Sequence, residues 1–112
     1  MLNETVLEKV GLTKNEIKVY LALLELGSVT AGNILKSTDL HRAGVYDTLD
    51  RLMEKGLASY VIQANRKYFE AANPKNFIDV IEKKKEELEK EKEHILKIIP
   101  QLDAKRKLSK EP

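Results

Sequence analysis

Gly27 to Ala71 reads GSVTAGNILKSTDLHRAGVYDTLDRLMEKGLASYVIQANRKYFEA, and the order of signals in it decides the fold. Thr30 stands at the N-cap of a short helix that carries Ile34 and Leu35 and ends about Lys36 to Thr38. Asp39-Leu40 makes the turn. A longer helix follows from about His41 to Lys55, with Val45, Leu49 and Leu52 on one face beside Met53, and Gly56 closes it. Ala58–Ile62 and Lys67–Ala71 are rich in Tyr, Val, Ile and Phe, and Gln63 to Arg66 is the polar turn between two strands. An isolated two-stranded hairpin is marginal, so Tyr60, Val61 or Phe69 must rest on the helices.

Upstream, Asn3 is placed to cap a short opening helix that ends near Gly11. Thr13-Lys14-Asn15-Glu16 is a Thr-x-x-Glu capping box, with Leu12 and Ile17 where a hydrophobic staple would pair. The helix it opens carries Ile17, Tyr20, Leu21 and Leu24 at i, i+3, i+4 and i+7. Val19, Leu23 and Leu26 widen that stripe, so the helix is expected to be buried on more than one side before Gly27 stops it.

Downstream, Asn73-Pro74 opens a long charged helix, asparagine at the N-cap and proline at N1. Ile81, Leu88, Ile95 and Leu102 recur every seven residues, with Ile78 and Ile99 one core position away; Lys85 and Lys92 fill the intervening core positions. Pro100 is expected to kink or end this helix, and the last ten residues read as a frayed tail. The division is therefore 1–72 for the compact domain, 73–102 for a dimerisation helix and 103–112 for the tail. The fold class is mainly α with a small β-hairpin: a winged helix-turn-helix plus a long C-terminal helix.

Composition narrows the function. The chain has 112 residues, no cysteine and a net charge of +2. Thiol chemistry, disulfides and thiolate metal sites are excluded, and a reducing cytoplasm is the expected location. No apolar run is long enough for a membrane span. His41 and His94 are the only histidines; a metal pair of His94 with Glu89 or Glu91 lacks a third ligand, so neither a metal nor a cofactor is expected. No phosphate loop or nucleophile elbow is present, and the chain is not expected to be an enzyme.

The second helix of the turn motif is normally the one that reads DNA. With Val45, Leu49 and Leu52 inward, the residues left for contact are His41, Arg42, Ala43, Tyr46, Asp47 and, on the flank, Thr48. Arg42 is suited to guanine or phosphate, and Tyr46 to phosphate through its hydroxyl or to half-burial against the first helix. Small Ala43 and Gly44 let the helix approach a groove wall. Asp47 and Asp50 repel phosphate, so they are expected to pair with Arg51 or Arg42, or, for Asp47, to read cytosine. Asn65, Arg66 and Lys67 place positive charge at the wing tip, and Thr30 heads a helix whose N–H groups suit a phosphate. One feature opposes this picture. Residues 1–72 hold nine Lys/Arg and nine Asp/Glu, so DNA binding must come from the arrangement of charge.

Taken together, GLTKNEIKVYLALLELGSVTAGNI, HRAGVYDTLDRLMEKGL and SYVIQANRKYFEAANP resemble the N-terminal DNA-binding domain of the archaeal TrmB transcriptional regulators. The resemblance covers Leu12 to Ala72. It implies a winged helix, operator binding to double-stranded DNA as a homodimer, and transcription regulation, with Arg42 and Tyr46 on the recognition helix and Asn65 to Lys67 at the wing. Larger members of that family continue into a sugar-sensing effector domain, whereas this chain stops after one helix and no residue in it points to a sugar. Ile78, Ile81, Leu88, Ile95 and Ile99 are the expected dimerisation residues; folding of that stripe back onto its own domain is the alternative. A protein-interaction module within a larger transcription or chromatin assembly is the rival function, and the balanced charge of residues 1–72 is its support.

Overall fold

The computed structural model describes residues 4–110. Its elements are α1 (Glu4–Val10), α2 (Lys14–Leu26), α3 (Ala31–Ser37), α4 (Arg42–Glu54), β1 (Ala58–Gln63), β2 (Arg66–Ala71) and α5 (Asn76–Lys110). Asn3, the expected cap of α1, lies outside the described residues. The chain divides into two compact units, one ending at Val80 and one beginning at Ile81.

In the first unit the capping box is complete. Thr13 N donates to Glu16 Oε1 at 2.8 Å and Glu16 N to Thr13 Oγ1 at 3.1 Å, while Leu12 and Ile17 are both buried. The inward face of α2 differs in part from the expected stripe. Ile17, Val19, Tyr20, Ala22 and Leu23 are buried, but Leu24 and Leu26 are exposed, because the core sits on the Val19–Leu23 side of the helix. Tyr20 meets Phe77 of the first turn of α5 edge to face, centroids 5.2 Å apart.

α4 ends in a Schellman motif. Gly56 has φ 76°, its N–H reaches Met53 O at 3.0 Å, and Leu57 N reaches Leu52 O at 2.8 Å. Only glycine takes that left-handed position at little cost, and the turn drops Leu57 into the core beside Leu52, both fully buried. Val45 and Leu49 are buried as expected; Thr48 is buried too, which removes it from the outward flank. The α4 periodicity makes this intelligible, since position 48 lies between 45 and 52 on the inward side.

β1 and β2 pair antiparallel, Tyr60 opposite Phe69 and Gln63 opposite Arg66. Phe69 supplies the contact to the helices, being buried, whereas Tyr60 and Val61 remain over 40% exposed. A third segment joins the sheet. Val29 N donates to Phe69 O at 2.9 Å and Phe69 N to Val29 O at 2.7 Å, so the residues before α3 form a one-residue bridge to β2. Sequence reading misses it because a single bridged residue leaves no alternation to detect.

α5 begins later than expected. Asn73 Oδ1 accepts from Lys75 N at 2.9 Å, and a turn with Asn76 N bonded to Asn73 O at 2.8 Å precedes the helix. The helix then runs through Pro100 to Lys110, so residues 103–110 of the expected tail are helical, and 111–112 lie outside the described residues. Proline removes one N–H and crowds the preceding turn, yet regular backbone resumes beyond it. Ion pairs of Asp103 with Arg106 at 2.9 Å and with Lys107 at 3.3 Å bridge successive turns there.

Glu16 is fully buried, and its Oε2 accepts from Lys55 Nζ at 2.6 Å. Burial pushes the Glu16 carboxyl up, but the hydrogen bonds from Lys55 and Thr13 outweigh it and hold the carboxyl below its ordinary value. The pair therefore stabilises the fold fully above the ordinary carboxylate range, and its contribution disappears as pH falls through the lowered value. Glu16→Gln is expected to cost about 1–3 kcal/mol at neutral pH and to flatten the acid limb of thermal midpoint against pH. A variant that melts like the parent at pH 7 would remove this pair from the energetics.

Candidate nucleic-acid interface

The expected contact residues come from three separate elements, and the fold gathers most of them. Thr30, Ala31 and Gly32 at the start of α3, Arg42 and Tyr46 of α4, Asn65, Arg66 and Lys67 of the wing, and Phe69 line one open cleft. The bridge between Val29 and Phe69 fixes the α3 end of this cleft to β2. That contact was not legible in the sequence, and it places Thr30 next to the wing.

The cleft is electrostatically one-sided. Its lining holds Arg42, Arg66 and Lys67 and no carboxylate. A stretch whose charges sum to zero thus presents a local cluster of three cations, and such a cluster attracts polyanions at short range. Lys67 is held in place, with its Nζ 4.5 Å from the Tyr60 ring centroid, a cation–π contact that leaves other N–H donors free. Tyr60 is the positioning residue that sequence reading missed; the Tyr60-Phe69 and Ile62-Lys67 pairings put it on the same hairpin face as Lys67.

His41, Ala43 and Asp47 are exposed but do not line the cleft. By helical periodicity Ala43, Asp47 and Asp50 lie opposite the buried stripe of α4. Asp47 pairs with Arg51 one turn on, as one of the sequence alternatives required, and that carboxylate raises the guanidinium pKa. His41 and Thr30 occupy N-cap positions, yet neither side chain caps its helix. The expectation of a capping hydroxyl at Thr30 is therefore corrected: Thr30 O, not Oγ1, accepts from Asn33 N at 3.1 Å. Tyr46 is 43% exposed and lines the cleft.

The wing tip is a two-residue turn in which Ala64 and Asn65 have φ 50° and 64°, the signature of a type I′ hairpin. Asparagine tolerates that region; alanine carries a Cβ penalty there. No group of three His, Cys, Asp or Glu side chains among the described residues is arranged to hold a metal. No helix of the described residues is long and apolar enough to cross a membrane.

Residues 7–75 match the family model described as "Sugar-specific transcriptional regulator TrmB". The HTH-type sugar sensing transcriptional regulator TrmBL1 of Pyrococcus furiosus is 32% identical over 105 residues, which is 91% of this chain and 30% of that protein. TrmBL2, an archaeal chromatin protein whose structure is described as showing a novel mode of DNA binding, superposes with a TM-score of 0.73 at 24% identity, over 97% of this chain and 42% of that one. A MarR family protein from Bacillus stearothermophilus superposes with a TM-score of 0.58 at 23% identity, over 95% and 79% of the two chains. The chain thus spans less than half the length of the first two relatives. The structural likenesses establish the winged-helix fold.

Relieving the tip is expected to be measurable. Ala64→Gly should raise stability by about 0.5–1 kcal/mol, the relief of left-handed strain less the added chain entropy. Chemical denaturation reads this directly, and a loss of stability would contradict the type I′ assignment.

Proposed function

The chain belongs to the TrmB family of transcriptional regulators, and we propose that it regulates transcription as a homodimer that binds double-stranded DNA sequence-specifically. The first turn of α4 enters the major groove, and the wing lies on the backbone or in the minor groove. The observation that carries this reading is the cleft lined by Arg42, Arg66 and Lys67 without a carboxylate. It supplies the phosphate affinity that the net charge does not.

The roles divide by chemistry. Arg42, with its planar fork, grips guanine or a phosphate at the groove edge. Arg66 and Lys67 neutralise phosphates, and Asn65 and the uncapped start at Thr30 add neutral donors. Tyr46 reaches phosphate through its hydroxyl. His41 and Ala43 face the groove from the first turn, and Asp47, held by Arg51, is set to accept from cytosine. One domain offers few phosphate contacts, so a second copy is needed. Ile78, Ile81, Leu88, Ile95 and Ile99 of α5 are proposed as the dimerisation residues; all five are exposed at heptad-related positions.

One observation favours a second reading. Asp50 and Glu54 are exposed on α4 beside the Asp47–Arg51 pair, and an acidic ridge suits docking of a basic protein segment better than insertion into DNA.

Selection of bound duplexes from a random pool, followed by mobility shift, decides between the two readings. Arg66→Ala combined with Lys67→Ala is expected to weaken binding at least tenfold and to reduce the slope of log K against log salt by roughly 3–4, two phosphate contacts being lost from each protomer of the dimer. An unchanged slope removes the wing from the interface. Failure of the parent chain to retain any duplex favours the docking reading.

A further inference from the structure

The apolar surface of α5 is unevenly distributed. From Glu82 to His94 the only apolar residue is Leu88, whereas Ile95, Leu96, Ile98, Ile99 and Leu102 crowd into two turns and are each 40–56% exposed. Ile95, Ile98, Ile99 and Leu102 stand at i, i+3, i+4 and i+7, one helix face. That spacing is the same read in either direction, so the patch complements a reversed copy of itself.

The charges on either side are opposite. Before the patch, Glu86 to Glu93 contain five glutamates and two lysines; after it, Lys105, Arg106 and Lys107 stand against Asp103 alone up to Ser109. In a parallel, in-register pair the acidic segments would meet each other, as would the basic ones. Lys85 and Lys92 would also face their own copies at core positions, and like charges held together are destabilising. An antiparallel pair places each acidic segment on the basic segment of its partner, twice by symmetry.

We propose that α5 pairs with a second copy of this chain in the antiparallel sense, centred on Ile98 and Ile99, with Ile95 of each copy near Leu102 of the other. This rests on the homodimer reading and specifies its geometry. The contact set moves relative to the heptad seam: Ile95, Ile98, Ile99 and Leu102 form its centre, and Ile78 and Ile81 lie outside it.

The chain has no cysteine, so a single spin label at Lys84→Cys reports cleanly on the full-length protein. At 1.5 Å rise per residue, an antiparallel dimer separates the two labels by about 45 Å, and a parallel one holds them within about 20 Å. A long distance supports the proposal. A short one overturns the orientation while leaving the homodimer standing, and a monomer at micromolar concentration overturns both. Charge reversal gives an independent measure. Lys105→Glu, Arg106→Glu and Lys107→Glu together should weaken the dimer at least tenfold, and adding Glu87→Lys, Glu89→Lys and Glu91→Lys should restore it; absence of that rescue counts against the antiparallel register.

Discussion

The Glu16 carboxylate is the constraint on which the first unit turns. One of its oxygens closes the α2 capping box through Thr13 N, and the other takes the ammonium of Lys55 from the end of α4. A fully buried carboxylate is costly unless both oxygens are used, so the start of α2 and the end of α4 are fixed to one another. Gly56 then turns the chain directly after Lys55, and Leu57 leads into β1. The hairpin, the bridge to Val29 and the cleft all inherit their positions from this junction.

Charge shows the same dependence on three-dimensional arrangement. Counted along residues 1–72, cations and anions cancel. In space, Asp47 is taken up by Arg51, Asp39 by Lys18 and Glu16 by Lys55, while Arg42, Arg66 and Lys67 converge on a lining free of carboxylates. A net charge near zero is therefore compatible with a polyanion-binding face, because coupling between a charge and its ligand falls off over about 8 Å in physiological salt.

Much of the fold was legible because its signals are local. The Thr13/Glu16 box, the glycine stop at Gly56, the inward Val45/Leu49/Leu52 face and the two strands are each set within a few residues, and each appears where the sequence places it. What was missed depends on distant partners. The Val29 bridge needs Phe69, the burial of Glu16 needs Lys55, and the perch of Lys67 needs Tyr60. The continuation of α5 past Pro100 is a different case: a local rule against helix was overridden by the helical residues on both sides.

The sequence by itself determined the order and type of the elements, the family resemblance and the identity of the cations available to a ligand, since propensity, capping and motif spacing are written in neighbouring residues. Only the tertiary structure decided which of those cations act together. Arg42 and Arg66 are far apart along the chain and share one cleft because α4, the wing and the start of α3 are held by Phe69, Val29 and the Glu16–Lys55 pair. Contacts of that kind gain their energy from burial and pairing across long loops, and no periodicity in the chain records them.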